Sequence, residues 1–178
     1  MRVFWAVPLP DALCRELHGI AAGVKGLRAQ KPETIHLTLR FLGDIEDPQP
    51  VAEAAQAVAA RHEPFTLAVC GLGVFPHPRA PRVFWAGVGR GREAVQALAE
   101  DLSEALQPLG FEPERRPWRA HMTLGRFRRP PRLPADLVDS ERSFGDVRVE
   151  RMVLYSSTLT PSGAVHEPVR DLSLGRAT

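Results

Sequence analysis

Two short segments of the chain carry side chains that suit acid–base chemistry on an anion. The first is His36-Leu37-Thr38-Leu39-Arg40-Phe41, and the second is His121-Met122-Thr123-Leu124-Gly125-Arg126-Phe127. Both read as His-x-Thr-Leu followed by Arg-Phe. Side chains alternate between the two faces of a β-strand, so His36, Thr38 and Arg40 are predicted to share one face. Leu37, Leu39 and Phe41 are predicted to point into a core.

Two histidines that face one substrate can catalyse an in-line displacement at phosphorus. The unperturbed pKa of histidine is near 6.5, so an imidazole can take or give a proton at neutral pH. One histidine activates the attacking oxygen while the other protonates the leaving oxygen. The threonine hydroxyls can donate hydrogen bonds to the non-bridging phosphate oxygens, where charge builds up. A strained cyclic phosphodiester needs no metal, and no cofactor is predicted.

The repeat extends beyond these motifs. Arg2-Val3-Phe4-Trp5-Ala6 recurs as Arg82-Val83-Phe84-Trp85-Ala86, and each copy is followed by a helical segment and a His-x-Thr strand. Two copies favour a two-fold pseudo-symmetric domain over a solenoid, which needs at least three. We therefore predict one bilobal domain over residues 1–178, built by an internal duplication of about 1–80 and 81–178.

The order of predicted elements is strand–helix–strand–helix–strand in each half, followed by a last strand. This order is typical of an α+β fold with largely antiparallel sheets. Asp11 is predicted to cap the first helix, and Gly71 and Gly73 indicate bulges or a close approach. The predicted strands cover 2–8, 34–42, 65–74, 82–88, 120–127, 147–158 and 164–174, and the predicted helices cover 11–24, 49–61, 91–107 and 134–140.

The chain is nearly neutral, with a formal net charge of +2, but its positive charge is concentrated around the second motif. No acidic residue lies between 115 and 132, and this distribution favours contact with the backbone of an RNA strand. Trp118 fits either stacking on a base or packing in the core. The arginines in this stretch are Arg115, Arg116, Arg119, Arg126, Arg128, Arg129 and Arg132.

Other function classes lack their sequence signatures. No His-Glu-x-x-His, Gly-x-Ser-x-Gly or Walker loop is present, so metal catalysis, a nucleophile triad and ATP binding are not supported. His18, His62, His77 and His166 are predicted to lie in helices or loops without a shared pattern. No signal peptide or membrane span is predicted, and two isolated cysteines suggest a cytoplasmic protein.

The paired motifs and the repeated strand resemble the 2H (two-histidine) phosphoesterase superfamily. Within it, they are similar to the bacterial and archaeal RNA 2′,3′-cyclic phosphodiesterases, also called 2′-5′ RNA ligases. This resemblance implies two largely antiparallel sheets with helices outside and a central cleft. It implies lobes that are not simply the two sequence halves. It also implies hydrolysis of RNA 2′,3′-cyclic phosphate ends to 2′-phosphates, and reversible ATP-independent joining of tRNA halves through a 2′-5′ bond. We separately expect the protein to be a monomer.

The resemblance also implies residue roles. His36 would be the proton donor and His121 the proton acceptor, while Thr38, Thr123 and Arg126 would bind the phosphate. Arg40, Arg119, Arg128 and Trp118 are candidate RNA contacts. Near the C-terminus an aromatic residue often follows the Gly of the last turn in this family. Here Gly163 is followed by Ala164, Val165 and His166.

Two alternatives stay open at this point. The same four His and Thr side chains could serve a phosphodiesterase for another small cyclic phosphate. The fold could also serve as a non-catalytic module that binds RNA ends, although a binder has no need of a paired acid and base.

The spacing of the second motif predicts a local irregularity. Gly125 reads as a one-residue insertion, which in a regular strand would turn Arg126 onto the opposite face from His121. A bulge absorbs one extra residue, and glycine tolerates a left-handed backbone. We therefore predict a bulge or strand end at Gly125 that returns Arg126 to the face of His121 and Thr123 as a phosphate clamp. Arg40, at an even spacing from His36, is predicted to need no bulge.

Overall fold

A computed structural model describes residues 1–175 of the chain. Within that range it contains nine strands and three α-helices, with short 3₁₀-helices at Pro32–Thr34 and Gln107–Leu109. None of these helices is long and apolar enough to span a bilayer. The strands are β1 Arg2–Val7, β2 Leu27–Ala29, β3 Leu37–Asp44, β4 Phe65–Phe75, β5 Val83–Val88, β6 His121–Phe127, β7 Asp139–Val149, β8 Arg151–Thr160 and β9 Gly163–Ser173, and the helices are α1 Asp11–Ala22, α2 Gln49–Arg61 and α3 Arg92–Leu106.

The strands form one sheet in the order β7-β4-β5-β6-β3-β1-β8-β9, and β2 pairs with β6. Every pairing is antiparallel, which confirms the predicted α+β class. The sheet consists of two four-stranded halves: β9-β8-β1-β3 is the first half-sheet, and β7-β4-β5-β6 is the second. Each takes strands from both halves of the sequence. The only Cα pair that joins β3 to β6 among the described residues is Leu37 opposite Met122.

One face of the sheet is covered by the helices. The face of α3 that carries Val95, Leu98, Leu102 and Leu106 is fully buried, as the helical spacing of these residues predicts. It belongs to the same core as strand residues that are 0 % exposed, namely Trp5, Leu37, Phe84 and Met122. Burying one such side chain contributes about 1.5–3 kcal/mol. The opposite face, which carries Phe4, Thr38, Trp85 and Thr123, is called the motif face below.

Strand β3 contains a bulge that the sequence analysis did not predict. Ala6 lies opposite Thr38 and Trp5 opposite Arg40, so Leu39 has no partner on β1. The extra residue shifts the alternation by one, so the side chains after it point to the faces opposite to those predicted. Arg40 lies on the core face and is 6 % exposed, whereas Phe41 lies beside Phe4 on the motif face and is 56 % exposed. The predicted faces of Arg40 and Phe41 are therefore wrong.

Strand β6 contains the same bulge at the equivalent place. Thr123 lies opposite Trp85 and Gly125 opposite Phe84, which leaves Leu124 without a partner on β5. Arg126 then lies opposite Val83, on the motif face. The prediction that a bulge returns Arg126 to the face of His121 and Thr123 is confirmed.

The predicted cause of that bulge is wrong. Both motifs have the bulge, so Gly125 is not an insertion: it stands where Arg40 stands in β3, and Arg126 stands where Phe41 stands. Nor does Gly125 have a positive φ. A Cβ there would lie 2.7 Å from the Leu27 side chain and 2.8 Å from the Arg28 carbonyl oxygen. Glycine is needed at 125 because β2 lies directly against it.

The two repeated Arg-Val-Phe-Trp-Ala strands also differ by one residue in which side chains face the core. Phe4 lies on the motif face and Trp5 in the core, but Phe84 lies in the core and Trp85 on the motif face. The indole of Trp85 lies over Gly73, where a Cβ would be 2.2 Å from the ring. This confirms the close approach predicted at Gly73. At Gly71, φ is +87° and the register of β4 shifts, as a bulge requires.

Three further element predictions need correction. Asp11 does not cap α1: Pro10 occupies the cap position, no side chain bonds there, and Asp11 begins the helix. No helix covers 134–140; residues 135–137 form a turn and β7 begins at Asp139. The predicted strand 147–158 is split at Glu150 into β7 and β8. The polar start of β7 lacks apolar alternation because it pairs as an edge strand with β4.

Replacing Gly125 with alanine should destabilise the protein by about 1–3 kcal/mol, since the new methyl group overpacks the contact with β2. Urea unfolding measures the effect. The matched control is Gly19→Ala on the exposed face of α1, where nothing lies within 4 Å of an added Cβ. That variant should gain about 0.5–1 kcal/mol. Equal stability changes in the two variants would contradict the packing explanation.

Candidate active site

The two motifs meet where β3 pairs with β6. Leu37 lies opposite Met122, so the antiparallel register, extended by one residue in each direction, sets His36 beside Thr123 and Thr38 beside His121. Both apolar residues of this pair point into the core and are 0 % exposed. The histidines and threonines of both motifs are therefore brought together at the centre of the sheet, on its motif face.

The imidazole of His36 is held from three sides. Its Nε2 lies 3.1 Å from Thr38 Oγ1, and the ring also makes a hydrogen bond with the backbone of Thr34. Its face stacks on Phe4, with ring centroids 4.7 Å apart. The ring consequently has a fixed orientation on the motif face.

His121 is held in a similar way on the other half-sheet. Its Nδ1 lies 2.8 Å from the carbonyl oxygen of Arg119, and the edge of Phe75 meets the ring at a centroid distance of 5.1 Å. Because a carbonyl oxygen only accepts hydrogen bonds, Nδ1 must carry a hydrogen. In the neutral ring Nε2 is then unprotonated and can act as a base. In both motifs the backbone two residues before the histidine orients the imidazole.

Burial and neighbouring charges keep both imidazoles neutral at pH 7. The pKa of His36 is lowered to about 4, first by burial and then by the charges that His166 and His121 would carry, against the opposing hydrogen bond to Thr34. The pKa of His121 is lowered mainly by burial, and also by the guanidinium of Arg126. Since a charge on His121 opposes a charge on His36, protonation of one histidine disfavours protonation of the other.

Arg126 is exposed on the motif face, close enough for its charge to lower the pKa of His121. Thr123 lies between them along β6, partly exposed. This arrangement is suited to holding an anion next to His121. The phosphate-binding roles of Thr38, Thr123 and Arg126 stay predictions.

Arg40 does not face this site. Its buried guanidinium donates to the carbonyl oxygen of Glu112 and lies 3.3 Å from the carboxylate of Glu114. Arg40 therefore stabilises the loop before β6 that contains Glu112 and Glu114, and it does not face the site where RNA contact was predicted. The bulge at Leu39 is the reason, because it turns Arg40 to the core face.

Two other candidate RNA contacts are partly engaged within the protein. The indole of Trp118 donates to the carbonyl oxygen of Thr38 at 3.3 Å and packs against the core, which favours the packing alternative. The carbonyl of Arg128 accepts from Arg82 at 3.1 Å. The side chains of Arg119 and Arg128 are exposed, and contact with RNA remains a prediction for them.

The sequence analysis missed His166. No shared pattern marks it in the sequence, and it lies on β9 opposite Ser157. Its ring meets His36 edge-on, with centroids 5.4 Å apart, and meets Phe4 at 4.9 Å. Tyr155 of β8 stacks on Phe4 at 5.6 Å in the same cluster. The sequence contained one signal, because His166 lies just after Gly163, where the family often has an aromatic residue. Only the pairing of β9 with β8 shows that this histidine lies beside His36.

Within residues 1–175, no group of three or more His, Cys, Asp or Glu side chains is placed to hold a metal ion. Both cysteines are free, and the pKa of Cys14 is raised to about 11 by burial and by the nearby Asp11. Neither property suggests a thiolate ligand or nucleophile.

A pseudo-symmetric antiparallel sheet with one His-x-Thr motif from each half defines a two-histidine phosphoesterase. The sequence model of the 2′-5′ RNA ligase superfamily matches residues 9–160. The RNA 2′,3′-cyclic phosphodiesterase of Archaeoglobus fulgidus is 35% identical over 175 residues, which cover 96% of this chain and 98% of that protein. The chain therefore belongs to the 2′-5′ RNA ligase superfamily, as its motifs predict.

Solved structures support the same fold. The protein TT0787 of Thermus thermophilus superimposes with a TM-score of 0.82 at 29% identity, covering 98% of each chain. Escherichia coli LigT in complex with 3′-AMP gives a TM-score of 0.79 at 23% identity, again over 98% of each chain. At that identity the likeness to LigT shows the fold alone.

Replacing His166 with glutamine should raise the pKa of His36, because it removes a neighbouring charge. The charge that His166 acquires lowers the pKa of His36, so the titration curves of the two rings should be coupled in the wild type. An NMR titration of the ring protons in the absence of substrate measures this. The control is His77→Gln in the exposed loop after β4. A His36 curve that is unchanged in His166→Gln, or shifted equally in both variants, would contradict the coupling.

Proposed function

We propose that the protein hydrolyses RNA 2′,3′-cyclic phosphate ends to 2′-phosphates by acid–base catalysis between His36 and His121. The observation that carries the proposal is the pairing of the two motifs at Leu37 and Met122, which gathers two oriented imidazoles and two threonines at one place. Family relatives named RNA 2′,3′-cyclic phosphodiesterase support the same substrate class.

In the proposed hydrolysis, His121 acts as the general base and His36 as the general acid. Nε2 of His121 takes a proton from water as the water oxygen attacks phosphorus. The bond from phosphorus to O3′ breaks, and His36 gives its proton to O3′. Thr38, Thr123 and Arg126 bind the non-bridging oxygens, where negative charge increases in the transition state. The step consumes one water, leaves a 2′-phosphate and requires no metal.

Substrate binding favours the protonated form of the acid, which takes its proton from solvent. The free protein holds His36 neutral at pH 7, since its pKa is lowered to about 4. A cyclic phosphodiester carries one negative charge, and an adjacent opposite charge favours the charged form of histidine. The bound substrate therefore raises the pKa of the pair, while the mutual repulsion of His36 and His121 limits it to one proton.

Ligation is the same displacement at phosphorus with a different nucleophile, and the bond from phosphorus to O3′ again breaks. A 5′-hydroxyl of a second RNA replaces water, attacks the cyclic phosphate and gives a 2′-5′ linkage without ATP. The exposed arginines 119 and 128 beside the second motif would attract the RNA backbone, and tRNA halves carry such ends. We further propose that the protein acts in the cytoplasm as a monomer.

His36→Ala and His121→Ala should each lower turnover of a 2′,3′-cyclic phosphate by about 10²–10⁴-fold, the usual contribution of general acid–base catalysis. Hydrolysis of 2′,3′-cyclic AMP in excess chelator measures this, with His77→Ala as the control. Wild-type turnover in either variant would contradict the two-histidine mechanism. No turnover by the wild type, with RNA ends still bound, would instead support the binding-module alternative.

The product should be a 2′-phosphate if His36 protonates O3′. Chromatography against 2′- and 3′-AMP standards identifies it. A 3′-phosphate would show that the bond from phosphorus to O2′ breaks, and that O2′ instead of O3′ receives the proton. Faster turnover of a non-nucleotide cyclic phosphate than of any RNA end would favour the other phosphodiesterase alternative.

A further inference from the structure

Strand β2 is a three-residue strand outside the main order of the sheet, and within residues 1–175 its only pairing partner is β6. The pairing begins directly after the second bulge: Ala29 lies opposite Gly125, and Arg28 lies opposite Arg126. The chain accommodates this pairing by having no side chain at Gly125, where a Cβ would lie 2.8 Å from the Arg28 carbonyl oxygen. The structure therefore holds Arg28 closely against β6.

The two arginines share one face. Residues directly opposite in an antiparallel pair point to the same side, with Cβ atoms about 4.5–5.5 Å apart. Arg126 lies on the motif face with His121 and Thr123, so Arg28 does too. Both side chains are exposed, and neither makes a hydrogen bond or ion pair with another residue within 1–175.

Like charges directly opposite each other destabilise a sheet. An anion between them removes that cost, and two guanidinium groups present paired donors that match phosphate oxygens. A single cyclic phosphodiester beside His121 carries one negative charge, which Arg126 alone can balance. The second arginine thus indicates a second phosphate.

We propose that Arg28, together with Arg126, forms a subsite for the phosphodiester that precedes the cyclic end, so that the protein prefers an RNA strand to a free cyclic nucleotide. The subsite deepens the proposed function and depends on it for the position of the cyclic end. Thr123 and Arg126 are separated along β6 by roughly 7–10 Å, given the rise of a strand. That separation leaves room for two phosphates, with the cyclic one between Thr123 and Arg126 and the preceding one between Arg126 and Arg28.

The first test measures binding and does not require turnover. A short single-stranded RNA with a 3′-terminal phosphate is titrated with the wild type, Arg28→Ala and Arg15→Ala, and the binding is followed by fluorescence anisotropy. Arg15 is the matched control, since it is an exposed arginine on α1. Arg28→Ala should bind about tenfold more weakly, with a salt dependence reduced by roughly one phosphate contact, while Arg15→Ala should match the wild type. Equal affinity of all three proteins would overturn the proposal.

The second test compares substrates. Arg28→Ala should lower kcat/KM about tenfold on an oligonucleotide with a 2′,3′-cyclic end and leave hydrolysis of 2′,3′-cyclic AMP unchanged. An equal loss on both substrates would overturn the subsite, because the variant would then affect the catalytic centre. If the wild type hydrolyses neither substrate, the proposed function fails, and the binding comparison still decides whether the arginine pair holds RNA. Urea unfolding should show that Arg28→Ala is no less stable than the wild type.

Discussion

The antiparallel pair of Leu37 and Met122 is the contact on which the rest of the site depends. These two residues join the half-sheets, and both side chains are fully buried in the core. Their pairing brings the residues on either side of each, His36 and Thr38 in one motif and His121 and Thr123 in the other, to the same part of the motif face. A shift of one residue would turn one motif onto the core face, since side chains alternate with a period of two. The hydrophobic core thereby fixes the position of the polar groups on the opposite face.

The two half-sheets are alike in backbone but differ in side chains. Both motif strands carry a bulge after the threonine, and this shared irregularity supports an origin by internal duplication. At the position after the bulge, β3 has Arg40 in the core and β6 has Gly125. At the next position, β3 presents Phe41 and β6 presents Arg126 on the motif face. At that position only β6 presents a cation on the motif face, so the two motif strands differ in charge there.

Much of this could be predicted from the sequence. The paired motifs and the repeat indicated the family and the α+β class. They also named the histidines and threonines that the fold gathers on the motif face, because these local patterns can be read directly from the order of residues. The faces of Arg40 and Phe41 could not be predicted from period-two alternation, since an internal bulge changes the phase and leaves no sequence gap. His166 and Arg28 were missed for another reason. Arg28 reaches the site because β2 pairs with β6, and His166 reaches it because the hairpin of β8 and β9 pairs with β1. Such pairing between distant segments has no signature in one sequence.

The central claim is that His36 and His121 share one proton and divide the roles of acid and base. The pH dependence of kcat/KM on 2′,3′-cyclic AMP tests it most directly, because it reports the ionisation of the free enzyme. The pKa values of both histidines are lowered from 6.5. The account therefore predicts a bell-shaped profile with its maximum below pH 6.5. His36→Ala should lose the decline at high pH, and His121→Ala should lose the decline at low pH. A pH profile of kcat/KM that still declines at both low and high pH in either variant would contradict these roles.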